Sequence, residues 1–157
     1  PDLPKWRTQI HIDEMTNEKY ALAISPDSYP TRRLGFPYKD LHSNIIVKCT
    51  RDGVGVVFLF SSQPNINSKG ISSGYYYFSS RLKWDHLITD ISLQQKWGSE
   101  YLYLARYNSE SDLEISDKIR SSKSAMLELD WYGEGLVRFK YSLNGADEAI
   151  KNCFRSL

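Results

Sequence analysis

The run Asn44-Ile45-Ile46-Val47-Lys48-Cys49-Thr50-Arg51-Asp52-Gly53-Val54-Gly55-Val56-Val57-Phe58-Leu59-Phe60 decides the architecture. Apolar residues recur on both sides of Asp52-Gly53, a two-residue hairpin signal, because type I′ turns need positive φ at both central positions. Pairing Arg51 with Val54 sets Cys49 against Val56, Val47 against Phe58 and Ile45 against Phe60. All six then share one face, so turn chemistry and hydrophobic pattern agree. The opposite face carries Ile46, Lys48, Val57 and Leu59. It is apolar enough to predict a central hairpin covered on both sides.

Outward from this hairpin the same period of two continues. In Trp6-Arg7-Thr8-Gln9-Ile10-His11-Ile12, the residues Trp6, Thr8, Ile10 and Ile12 form the inward face. In Tyr20-Ala21-Leu22-Ala23-Ile24 the expected inward set is Tyr20, Leu22 and Ile24. Residues 25–43 contain Pro26, Pro30, Pro37 and Gly35, and read as a long loop. Residues 61–73 read as a second loop. Residues 74–84 form a strand with Tyr76, Phe78, Ser80, Leu82 and Trp84 on one side and Tyr75, Tyr77, Ser79 and Arg81 on the other. A short run near Ile91-Ser92-Leu93 and residues 101–107 are further strands, and residues 111–121 a short helix.

A second hairpin turns at Gly133-Glu134-Gly135. A three-residue loop is expected to pair Trp131 with Val137, Leu129 with Phe139 and Leu127 with Tyr141. Asp130 then meets Arg138 and Glu128 meets Lys140 across the outer face. The chain closes with a helix capped by Asn144. Asp147 and Glu148 complement its dipole, and Ala146, Ala149, Ile150, Cys153 and Phe154 form its core stripe. The predicted fold is mainly β: an antiparallel sandwich or strongly bent sheet in one domain spanning residues 1–157, with a middle and a C-terminal helix packed on it.

Composition narrows the function. The chain has 157 residues, a net charge of +1 and 41% hydrophobic residues, which argues against disorder. No basic run exists to release phosphate counterions, so nucleic acid is not the expected partner. No apolar stretch approaches the ~20 residues a transmembrane helix needs. The three histidines, His11, His42 and His86, make no metal-ligand spacing, and His11 is expected to be a solvated imidazole on an outer strand face. No nucleophile elbow or phosphate loop occurs. No cofactor, metal ligand or catalytic residue is assigned. Tyr75, Tyr77 and Arg81, with Tyr38 of the Pro-rich loop, are the candidate binding residues, because Tyr and Arg recur at binding hot spots. Cover by a second sheet or by the 25–43 loop is the simpler explanation of the same tyrosines. Cys49 and Cys153 both point inward, a pattern that two separate buried thiols satisfy as well as one bridge does.

The ordered set Trp6, Met15-Thr16-Asn17-Glu18-Lys19, Ile45-Ile46-Val47-Lys48-Cys49, Arg81, Asp85, Trp97 and Phe139-Lys140-Tyr141-Ser142-Leu143-Asn144-Gly145-Ala146-Asp147-Glu148-Ala149-Ile150-Lys151-Asn152-Cys153 resembles the TagO/VasI-like small envelope proteins associated with bacterial type VI secretion. Where that family has Arg-Cys at its strand end, this chain has Lys48-Cys49. The resemblance spans nearly the whole chain and supplies no catalytic residues. It implies a periplasmic or otherwise exported protein, its signal or lipoprotein leader removed, consistent with a chain that begins at Pro1. It also implies a Cys49–Cys153 bridge, since disulfides persist in oxidising compartments. The expected role is a non-catalytic envelope module that binds a protein partner or cell-wall glycan, as a secretion accessory. The alternatives are a cell-wall hydrolase using carboxylates such as Asp13, Glu14 or Asp85, and a phage or defence-type inhibitor acting through a protruding 25–43 loop.

Overall fold

A computed structural model describes residues 3–67, 70–105 and 111–157. Among these, ten strands and two helices follow one another as β1 (Arg7–Ile12), β2 (Lys19–Ile24), β3 (Ser43–Thr50), β4 (Gly53–Phe60), β5 (Gly70–Ser72), β6 (Tyr75–Trp84), β7 (Leu87–Lys96), β8 (Tyr101–Leu104), α1 (Asp112–Ser121), β9 (Ser124–Trp131), β10 (Gly135–Ser142) and α2 (Ala146–Arg155). All pairings are antiparallel, in the order β1-β2-β3-β4-β8-β7-β6-β9-β10, with β5 beside β6. The mainly β reading, with one helix in mid-chain and one at the C-terminus, is what the chain adopts.

The sheet bends until β10 approaches β3. The start of the 25–43 segment stitches the two. Ser28 forms a bridge with Ser43, and its Oγ donates to the Lys140 carbonyl at 2.7 Å. Thr31 N donates to the Arg138 carbonyl, and Pro30 lies against Phe139. Inside the bend, Phe58, Phe60, Trp131, Phe139 and Tyr141 form a continuous ring cluster with centroid separations of 5.3–6.5 Å. Such pairs contribute about 0.5–1.5 kcal/mol beyond area burial. Tyr141 is fully buried with its hydroxyl 2.7 Å from Ser43 Oγ, and burial pushes its phenol pKa up.

Both hairpins keep the expected faces but not the expected partners. In the first, Thr50 pairs with Gly53, so Cys49 meets Val54, Val47 meets Val56 and Ile45 meets Phe58. The turn is Arg51-Asp52, and neither residue has positive φ, so no type I′ turn forms there. Thr50 Oγ1 instead donates to the Gly53 carbonyl. In the second, Trp131 pairs with Gly135 around Tyr132-Gly133-Glu134, Leu129 meets Val137, and Glu128 meets Arg138 instead of Lys140. Each ladder slips by two residues, which leaves every side chain on its predicted face. The two positive φ values of a primed turn occur at Ser73-Gly74, which joins β5 to β6 inside what reads as loop and strand start.

Four further expectations are corrected. In β2 the buried inward residues are Ala21 and Ala23, opposite Cys49 and Val47, while Tyr20 and Leu22 face outward. Helix α2 packs on β1, β2 and β3, and small alanines let it approach closely. The helix covers only the start of β1, where Thr8 Oγ1 donates to the Ala149 carbonyl, so Ile10 and Ile12 are each 57% exposed. The run near Ile91 is a full ten-residue strand, because Asp85-His86 turns β6 directly into β7. The α2 cap is Gly145 at φ 78°, with no side-chain bond, while Asn144 Nδ2 donates to the Pro4 carbonyl. A Cβ at residue 145 would meet Lys5 Cβ at 3.2 Å, so the N-terminal segment passes too close for a larger residue.

Ala146, Ala149, Ile150 and Cys153 form the buried stripe of α2; Phe154 is partly exposed. That stripe brings Cys153 to Cys49, and the two form a disulfide with Cα atoms 6.0 Å apart. Helix α1 begins as expected, with Ser111 Oγ accepting from Glu114 N. The strand expected over residues 101–107 is β8; residues 106 and 107 lie outside the described residues. No helix among the described residues is long and apolar enough to cross a membrane.

Candidate functional site

The outer face of the sheet is concave where β8 stops short of its neighbour. Strand β8 pairs with β4 only at Val57, Phe58 and Leu59. Leu102 and Leu104 point into the core, so alternation turns Tyr101 and Tyr103 outward, each just over one-third exposed. Among the described residues no strand pairs with 53–56 of β4 on that side, and the start of α1 packs there. Asp112 Oδ2 accepts the Val56 N–H at 3.1 Å, satisfying an edge amide that β8 does not reach.

These elements enclose a groove of about 820 Å³. Its floor is Leu22, Ile46 and Val57, with Leu104 and Ala105 at one side. Tyr20, Tyr101 and Tyr103 supply aromatic walls. Lys48, Gln94, Ser111, Asp112 and Glu114 are the polar members of the lining. The volume is that of a typical ligand cleft, which is mostly apolar with a few placed polar groups. Gly55 keeps the floor open beneath Asp112: a Cβ there would lie 3.7 Å from Asp112 Oδ2.

Charge in the groove is unevenly matched. The Lys48 ammonium lies 4.7 Å from the Tyr20 ring centroid, a cation–π contact, and His11 stacks on the same ring at 5.1 Å instead of standing free in solvent. Burial pushes the Asp112 carboxyl above its ordinary pKa, with the Val56 N–H opposing. Burial also raises the Tyr103 phenol, reinforced by the Tyr101 and Tyr75 hydroxyls.

The sequence-predicted residues divide into two places. Tyr75 and Tyr77 are half-buried on the outer face, as alternation requires. Tyr77 stands opposite Gln94, which stands opposite Tyr103, so these tyrosines continue the aromatic wall away from the groove. Arg81 lies further along β6 and donates twice to Glu128, at 2.8 and 2.9 Å, while Arg138 donates to the same carboxylate. Tyr38 is elsewhere: its ring sits edge-on to Trp131 at 5.0 Å, closing the core. The 25–43 loop does not stand clear of the body. Leu34 and Leu41 are buried, and Glu134 binds Arg32 and the Gly35 amide. Phe36 is its exposed tip.

Two of the three carboxylates weighed for catalysis, Asp13 and Asp85, are engaged in backbone capping. Asp13 accepts from the Met15 and Thr16 amides, and Asp85, at φ 51°, accepts from the Lys123 and Ser124 amides. Among the described residues no group of three or more His, Cys, Asp or Glu side chains is placed to hold a metal. Tyr20, Lys48, Tyr101, Tyr103 and Asp112 were missed from sequence because they come from four separate segments. The signal for two of them was present: Tyr101-Leu102-Tyr103-Leu104 alternates as cleanly as Tyr75-Tyr76-Tyr77. Comparison with protein families, curated proteins and solved structures finds no match to this chain.

Proposed function

We propose that this chain is an exported, non-catalytic interaction module that holds an extended segment of a protein partner in the outer-face groove. The observation that carries the reading is the groove itself. An aliphatic floor of half-buried Leu22 and Val57, with buried Ile46 between them, lies between outward tyrosines. Burying those surfaces against a partner releases roughly 25 cal/mol per Å² of apolar area. A glycan fits this floor poorly, because its hydroxyls would be left facing Leu22, Ile46 and Val57 without partners. The aromatic wall through Tyr77 and Tyr75 extends the contact beyond the groove, in keeping with the enrichment of tyrosine at hot spots.

The Cys49–Cys153 disulfide supports an oxidising compartment such as the periplasm. The resemblance to TagO/VasI-like proteins supports an accessory role in the cell envelope. The test is selection from a random-peptide display library on the disulfide-bonded chain. Selected sequences are expected to bind the wild type and to lose binding to Gly55→Val, whose side chain enters the groove. Equal binding to both overturns the reading. So does failure to select any sequence while soluble cell-wall glycan fragments bind.

A further inference from the structure

We infer that the partner segment is anchored in the groove by a basic side chain, lysine or arginine, whose cation pairs with the Asp112 carboxylate. The inference rests on the peptide-binding reading above and names the chemistry of its anchor.

Asp112 is half-buried at the edge of an apolar cleft, with one oxygen on the Val56 amide. No cation among the described residues lies within ion-pair distance of it. The nearest candidate by register is Lys48, directly across from Gly55, over which the Asp112 carboxylate sits. Yet the Lys48 ammonium rests against the Tyr20 ring. Among the described residues the groove thus presents an acceptor with no side-chain counter-charge, complemented only by the Val56 amide and the N-terminal end of the α1 dipole.

The rest of the lining suits a long basic side chain. Lysine and arginine bury an aliphatic stem while delivering a charge at the tip, and Leu22, Ile46 and Val57 offer a bed for that stem. The tyrosine faces attract cations, as Lys48 on Tyr20 already demonstrates within the chain. An acidic anchor aimed at Lys48 would meet Asp112 and Glu114 in the same cleft, and like charges at short range repel.

Three capped tripeptides test this by amide chemical-shift titration of the intact, disulfide-bonded chain: acetyl-Val-Lys-Val-amide and its norleucine and glutamate counterparts. The lysine peptide is expected to bind roughly fivefold tighter than the norleucine peptide, and the glutamate peptide weakest. Asp112→Asn, which keeps an acceptor for Val56, is expected to erase the lysine preference while leaving norleucine binding in place. In the wild type the preference is expected to shrink as salt rises, a readout that needs no variant. Equal binding of lysine and norleucine peptides, or a preference that survives Asp112→Asn, overturns the inference and leaves the groove a binding site. No shift at groove amides with any of the three peptides overturns the proposed function as well.

Discussion

Lys48 and Gly55 face one another across β3 and β4, and this pairing shapes the groove. One residue supplies a long side chain that folds onto Tyr20; the other supplies none, so Asp112 can lean over the strand. The backbone at Gly55 is not in the left-handed region, so its role is spatial and not conformational.

Gly55→Ala is therefore expected to be tolerated. The new methyl meets Asp112 Oδ2 at an ordinary contact distance of 3.7 Å. Loss of unfolded-chain freedom favours the variant by about 0.4–1 kcal/mol. Urea denaturation should show a midpoint equal to or above wild type.

Reducing the disulfide is expected to cost far more. Cys49 and Cys153 are 104 residues apart in sequence. In the chain-entropy picture, closing a loop of that size stabilises by about 4–5 kcal/mol. Denaturation with and without dithiothreitol, or of a double Cys→Ala variant, measures it. Exchange of α2 amides should accelerate first, because the bridge ties that helix to β3.

Acid sensitivity should centre on Glu128. The hydrogen bond from Arg81 holds its carboxyl below the ordinary range; burial opposes this, and Arg138 adds to it. A carboxyl depressed on folding contributes stability that is whole above its unfolded pKa, near 4.5. That contribution is lost as pH falls through the lower folded value. Urea midpoints measured from pH 7 to pH 2 should fall less steeply below pH ~4.5 for Glu128→Gln than for wild type.

Tyr77 and Tyr38 should respond oppositely to alanine. Tyr75→Ala and Tyr77→Ala are expected to weaken peptide binding by about 1 kcal/mol each, with little change in melting temperature. Tyr38→Ala removes an edge-on contact with Trp131 and is expected to lower stability by about 1–3 kcal/mol while leaving affinity intact. Calorimetric titration and thermal unfolding of the same samples separate the two outcomes.

Alternation made the core strands legible. Ile45, Val47, Cys49, Phe58 and Phe60 point inward as read, and so do Leu127, Leu129, Val137 and Phe139. Register was less legible, since a slip of two residues preserves every face and only the turn backbone decides it. Thr50 Oγ1 and the φ values at Arg51-Asp52 did so in one hairpin. In β2, hydrophobic size pointed the wrong way: Tyr20 and Leu22 are larger, but α2 needed the alanines. The groove was invisible for a different reason. Among the described residues β8 pairs with only three residues of β4, and how far a ladder extends is a tertiary outcome that no local pattern encodes.

The seam between Ser43 and Tyr141 also sets the order in which this protein can be finished. Their hydroxyls meet, yet 98 positions separate them along the chain. Strands synthesised early wait for β10 before the bend can seal, and such distant pairings are slow to form. Phe58 and Phe60 find their ring partners Tyr141 and Phe139 only on β10, so the core cannot close before that strand has been made.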